Sequence, residues 1–260
     1  MRITDQGLVL QRIAFRESSL VLKILTRTHG KHTFMARGVR SDHRDGRRGA
    51  LAGFHTLEVE GSARGTTAML TLRRAEITTA RHHLPHRAPA LGAAQILQET
   101  IIRLIPEADP CSDIFDLAVS CLDLLNAGGP PLLTLSHGLG RMIHLLGHGW
   151  RLDGCAGCGD LENVAFFSVK RQQMVCRRCG APYADRLLPL TAPVLRAMNR
   201  LDWPPAYETM SLEEAEWFYR IVVNCLARIT GGPLLTDGPF RAMMESKRRL
   251  KEQKGPEACP

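Results

Sequence analysis

Two cysteine pairs, Cys155-Ala-Gly-Cys158 and Cys176-Arg-Arg-Cys179, stand seventeen residues apart and constrain this chain more than any other stretch. Two residues between cysteines let both thiolates of one turn reach a single ion, and a second such turn completes a tetrahedral four-sulfur set. The intervening run Glu162 to Val169 has the β-branched and aromatic content of a short strand. Together they predict a zinc ribbon with Cys155, Cys158, Cys176 and Cys179 as ligands of one structural Zn²⁺. Gly157, Gly159 and Gly180 suit the knuckle turns, and Arg177-Arg178 place positive charge beside the thiolates. Four thiolates close the coordination shell, whereas a catalytic zinc keeps one position open. A thioredoxin-type site would need a single C-x-x-C in a strand–helix unit. Cys111, Cys121, Cys225 and Cys259 fall at unrelated spacings and read as reduced core or tail thiols.

The formal charge of +8 is concentrated at one end. Residues 1–80 carry fourteen Lys and Arg against seven Asp and Glu, which is +7 of that total. An anionic partner is therefore expected at the N-terminal third. Five strand-like runs lie there, at Leu8–Leu10, Leu20–Leu25, His32–Ala36, Phe54–Val59 and Ala68–Leu72, separated by turn residues and one long glycine-punctuated excursion over 38–53. Five short strands with one excursion predict a Greek-key barrel of the OB type, whose surfaces bind oligonucleotides. Arg40, Arg44, Arg47 and Arg48 sit on the excursion, where they would close over a phosphate backbone, with Lys31 and Arg37 on the adjacent strand as fixed contacts. Phe15, Phe34 and Phe54 read as core. The expected binding is thus salt-sensitive phosphate contact with little base readout.

After His82-His83-Leu84-Pro85-His86, read as a linker, the periodicity turns helical. Pro89 opens one helix, Ser112 a second that stops at Gly128-Gly129-Pro130-Pro131, and Leu132–Leu146 a third that carries His137, Arg141 and His144 on one solvated face. Thr191 and Pro193 open a further short helix, and Ser211-Leu212-Glu213-Glu214 a capping box before a long apolar helix to Ile229. Residues 241–260 read as a flexible basic tail. The fold class is α+β: a barrel over 1–80, a helical domain over 81–150 and 184–240, and a zinc ribbon over 151–183.

Several chemistries lack their motifs. There is no G-x-x-x-x-G-K-[ST], no H-x-E ahead of the cysteine pairs and no G-x-S-x-G, and His43-Arg44-Asp45 has none of the companions of a kinase loop. No apolar run approaches a bilayer span and Met1 to Gln6 has no signal-peptide character, so a cytoplasmic, membrane-free protein is expected.

The string Leu25-Thr26-Arg27-Thr28-His29-Gly30-Lys31, then Ala36-Arg37-Gly38-Val39-Arg40, resembles the RecO family of bacterial DNA repair proteins. Leu145-Leu146-Gly147-His148-Gly149 followed by Leu152-Asp153-Gly154-Cys155 is similar to that family's helix-to-zinc junction. The resemblance implies a non-enzymatic recombination mediator that binds single- and double-stranded DNA and anneals complementary strands. With the partner RecR it would help RecA onto DNA coated with single-strand-binding protein, at the nucleoid. It also implies a pocket in the helical domain for the C-terminal tail of single-strand-binding protein, for which Arg141 is the candidate anion contact. Rival readings are an RNA-binding factor built from the same two modules, and a zinc hydrolase or thiol oxidoreductase using the four cysteines.

Overall fold

The structure is a computed structural model describing residues 1–40, 47–63, 69–180, 187–201 and 210–254. Arg44 therefore lies outside the described residues. Strands β1 (Arg2–Phe15), β2 (Ser19–Thr26), β3 (Gly30–Ala36), β4 (Thr56–Ser62) and β5 (Met69–Thr79) close into a barrel in the order β1-β2-β3-β5-β4. All neighbours are antiparallel except β3 and β5, which pair in parallel over Thr33–Met35 and Met69–Thr71. Ile3, Val9, Leu22, Ile24, Phe34, Leu57, Val59, Leu70 and Leu72 fill its interior. The strands outrun the apolar stretches that announce them, because residues such as Thr4, Gln6 and Arg73 face outward and leave no hydrophobic signal.

The long excursion is anchored at both ends. Val39 on one side, and Ala50 and Leu51 on the other, belong to the barrel core, and a short helix α1 (Arg47–Ala50) leads into the second anchor. Phe34 is core as expected, but Phe15 is 40 % exposed. It lies where β1 has run past its pairing with β4, which ends at Leu8, and the Arg16 guanidinium covers its ring at 5.3 Å.

Beyond a 3-10 turn at Leu84–His86 come helices α2 (Ala88–Leu104), α3 (Ser112–Ala127) and α4 (Pro131–Leu145). Gly128, at φ 98°, ends α3 in the left-handed conformation, its amide and that of Gly129 bonding back to Leu125 and Leu124. Strands β6 (Arg151–Cys155), β7 (Val164–Ser168), β8 (Gln173–Cys176) and β9 (Leu187–Pro189) form a second sheet in the order β6-β8-β7-β9, with a turn of helix α5 (Arg177–Gly180) after β8. Helices α6 (Ala192–Asn199), α7 (Leu212–Ile229) and α8 (Asp237–Lys254) follow. The capping box at Ser211 is formed, with hydroxyl and carboxylate exchanging backbone bonds with Glu214.

Of the flexible tail expected over 241–260, residues 255–260 lie outside the described residues, and those up to Lys254 belong to helix α8. Its first turns dock: Phe240 is 1 % exposed, and Tyr219 donates its hydroxyl to Asp237 at 2.7 Å. The basic composition of 241–254 hides this because the docking residues, Phe240, Met243 and Met244, are few.

One hydrophobic cluster spans what the sequence divides. Leu8, Leu10 and Leu25 of the barrel, Phe115 and Leu139 of the helices, and Phe167, Met174 and Leu188 of the second sheet all belong to it. Barrel cations bolt the joint. Arg81, with no exposed side-chain surface, reaches Asp123 at 2.8 Å, the Phe54 carbonyl at 2.9 Å and the Thr56 hydroxyl at 3.0 Å. Arg27 grips Asp116 through two 2.8 Å bonds. Among the described residues no helix is long and apolar enough to cross a membrane.

Candidate nucleic-acid interface and metal centre

Arg37 follows β3, exposed, and Arg40 is exposed three residues beyond, its guanidinium donating to the Arg16 carbonyl at 2.9 Å. Arg47 opens α1 and donates to the carbonyl of Arg37 at 3.3 Å, with Arg48 exposed beside it. Four of the expected arginines are thus gathered around the β3 end of the barrel. A groove of about 490 Å³ there is lined by Met35, Arg37, Ser62, Met69, Thr71 and Arg73. A second, of about 440 Å³, runs between α1 and β5 with Arg47, Arg73, Arg74 and Glu76 on its walls. Arg73 and Arg74 went unremarked in the sequence, although two adjacent charges after the alternating Leu70 and Leu72 break the strand period and mark an irregularity.

Lys31 is a correction. It is 4 % exposed, not on the basic surface, and its ammonium donates to the Ile102 carbonyl of α2 at 2.6 Å. Burial disfavours its charged form and pulls its pKa below the ordinary lysine value, with Glu107 acting against that shift. A polar residue in an alternating strand reads as outward facing, but this outward face is covered by a helix. Lys31→Met is accordingly expected to leave oligonucleotide affinity within about twofold of the parent in a fluorescence titration, because a substitution away from the bound phosphates acts locally. A large loss would return Lys31 to the binding surface.

Arg141 donates to the Leu201 carbonyl at 2.7 Å, so its guanidinium ties α4 to the chain after α6. The histidines of α4 divide: His144 is exposed as the solvated face requires, whereas His137 is not. His137 is 5 % exposed and meets Phe218 edge-on, and His144 meets Trp150 edge-on at 4.6 Å. Each ring nitrogen Nδ1 lies about one hydrogen bond from the carbonyl four residues back, Leu133 and Gly140. Phe218, far along the chain, supplies the contact that buries His137, which helical spacing alone does not reveal.

The four predicted cysteines converge. Their sulfurs all lie within 4.8 Å of one another, and those of Cys158 and Cys176 are 3.8 Å apart. Four tetrahedral sulfurs around an ion at about 2.3 Å sit about 3.8 Å from each other, so the cage has the right size. Backbone amides converge as well: those of Gly157 and Cys176 donate to the Cys155 sulfur at 3.4 and 3.3 Å, and that of Cys179 to the Cys176 sulfur at 3.4 Å. Burial opposes a thiolate at Cys155, but these amides outweigh it and bring its pKa down to about 6. Hydrogen bonding from Cys176 and Cys158 instead pushes Cys179 up to about 12. Without a cation the four sulfurs compete for negative charge; a bound dication removes the competition. Arg178, beside Cys158 and Cys179, adds positive charge at the rim. The donor set fits a structural metal ion.

The family model for the recombination protein O N-terminal domain matches residues 1–81, and that for the C-terminal domain matches 86–236. The chain belongs to the RecO family. Among curated RecO proteins, each named DNA repair protein RecO, the chain is 35 % identical over 204 residues to that of Bradyrhizobium sp. strain ORS 278, covering 75 % of this chain and 77 % of that one. It is 32 % identical to that of Anaeromyxobacter sp. strain K, covering 77 % and 79 %. With that of Bacillus pumilus it shares 25 % identity over 255 residues, or 96 % of this chain and 97 % of the other. The two RecO family models meet between Arg81 and His86, at the joint that the Arg81 guanidinium bolts.

Proposed function

We propose that this RecO-family chain is a non-enzymatic recombination mediator. It binds single- and double-stranded DNA on the barrel, anneals complementary strands, and with RecR helps RecA displace single-strand-binding protein, whose tail docks on the helical domain. The observation that carries the DNA-binding part is the placement of Arg37 and Arg47 on the walls of two grooves of a closed barrel, with Arg40 and Arg48 exposed on the adjoining chain. Guanidinium groups bind phosphates through paired, charge-assisted hydrogen bonds without reading bases. Phe34 is buried, and Phe15, though 40 % exposed, already has the Arg16 guanidinium over one ring face, so phosphate contact rather than stacking is the main contribution in this reading. Bases held only through their backbone keep their pairing edges free, which is what annealing requires.

In this reading Cys155, Cys158, Cys176 and Cys179 hold one Zn²⁺ that fixes the ribbon and takes no part in bond making. The protein acts in the cytoplasm, at the nucleoid when on DNA.

The test is annealing of two complementary labelled oligonucleotides coated with single-strand-binding protein, without ATP, across a salt series. Acceleration that fades as salt rises is expected. Replacing Arg37, Arg40, Arg47 and Arg48 together by Ala should slow annealing and flatten the salt dependence of single-strand affinity by up to about 0.7 per lost phosphate contact. No acceleration by the metal-loaded chain overturns the proposal and favours an RNA target.

A further inference from the structure

Strand β5 contains an irregularity at a telling place. Arg74 pairs with Glu60 and Leu72 with Gly61, so Arg73 is an extra residue with no partner opposite it. This is a β-bulge, a device that re-aims a side chain at the cost of one ladder position. In a regular strand consecutive side chains alternate faces; with Leu72 in the core and Arg73 outside, Arg74 would point inward. The bulge lets both arginines lie outside, and Ala75 restores the inward face.

The two neighbours then differ in chemistry. Arg74 makes a two-pronged pair with Glu76 at 2.7 and 2.6 Å and has Glu58 at 3.8 Å, so its charge is already answered. Arg73 touches only a neutral group, the Ser62 hydroxyl, at 3.3 Å, and has no carboxylate partner among the described residues. It is also the residue common to both basic grooves, with Arg37 on one side and Arg47 on the other. Thr71 and Ser62 add hydroxyls to the first groove, and Met69, 41 % exposed, an apolar surface.

We propose that Arg73, turned outward by this bulge, is the central phosphate contact of the barrel and carries a single nucleic-acid strand along β5 from the Arg37 groove to the Arg47 groove. The proposal rests on the nucleic-acid reading above and assigns it a path. Each groove has the size of a site for one small-molecule-sized unit, which suits successive nucleotides of a flexible strand. An arginine already paired to two carboxylates must exchange one anion for another to bind phosphate, whereas Arg73 gains an anion without losing one. Adjacent residues of equal formal charge should therefore contribute unequally.

The experiment compares Arg73→Ala, Arg74→Ala, the double variant Arg37→Ala with Arg47→Ala, and Arg73→Lys. Each full-length chain is titrated with fluorescein-labelled oligothymidine across a salt series, with a thermal melt as a folding control. Arg73→Ala is expected to weaken binding about tenfold and flatten the salt slope by about 0.7, one phosphate contact. Arg74→Ala should leave the slope unchanged, and Arg73→Lys, which keeps the charge, should restore most of the slope. Equal losses from Arg73→Ala and Arg74→Ala would overturn the proposal, since a general charge effect would explain both. So would Arg73→Lys binding as weakly as Arg73→Ala with both melting early, which marks a structural role. If the double variant loses affinity and Arg73→Ala does not, the path is wrong while the barrel reading stands. If neither loses affinity, the barrel reading falls as well.

Discussion

Arg81→Met is expected to cost about 3 kcal/mol of unfolding free energy, the cost of stripping a buried hydrogen-bonded cation from its partners. The methionine fills most of the space, so the loss comes from the groups left behind. The Phe54 carbonyl and the Thr56 hydroxyl would each lose the donor that now reaches them in the joint between barrel and helices. Asp123 softens the penalty: its side chain is half exposed and regains water when the cation leaves. Arg81→Lys should fare little better, because one ammonium cannot reproduce a planar fork that serves Asp123 on Nε and two oxygens on one terminal nitrogen. Urea unfolding followed by far-UV circular dichroism checks this through the midpoint. An unchanged midpoint would mean that the Arg81 network carries no net stability and that the apolar contacts alone hold the joint.

Cys176→Ser is expected to remove stoichiometric metal from the purified chain and to loosen the second sheet. Structural zinc contributes about 10–16 kcal/mol of apparent binding free energy in small modules that are unfolded without it. This sheet is not such a module, since Phe167 and Met174 are anchored in the main cluster. Loss of the ion should therefore release the knuckles around Cys155 and Cys179 and leave the helices folded. Elemental analysis after dialysis, with titration of the exposed thiols, reads the outcome. Oligonucleotide affinity of the full chain should stay within about twofold, because no residue of the second sheet lines the arginine grooves and such changes act locally. Retention of one ion per chain in the variant would remove Cys176 from the ligand set.

The barrel and the cysteine cage were legible because each rests on a local pattern. Glycine-punctuated apolar runs give strands, and two C-x-x-C pairs give a cage whatever surrounds them. What escaped the sequence depends on which face another element covers. Lys31 alternates correctly in β3, yet α2 roofs the face it occupies and turns an expected phosphate contact into a joint. His137 has the spacing of a solvated stripe, yet it is buried with Phe218 edge-on against it, while His144 on the same stripe stays exposed. Phe15 has the composition of a core residue and stands outside because β1 continues beyond its neighbour. Arg73 was hidden for a different reason: a bulge is a defect of pairing, and a single strand read alone has no partner to reveal it.

The sharing of Leu8, Leu10 and Leu25 between the barrel wall and the helical cluster has a mechanical meaning. A barrel joined by a loose tether could swing its cargo; one whose outer wall is another layer's inner wall is a bracket. If the proposed contacts hold, anything gripped along β5 and anything docked on the helices would be held at a fixed offset and angle, and the molecule would act as a spacer of set length between them. It also means that cutting the gene at the family-model boundary exposes three leucines and strips the Arg81 guanidinium of Asp123. Fragments made that way would report on a damaged surface, and the working unit for dissecting this chain is the point substitution.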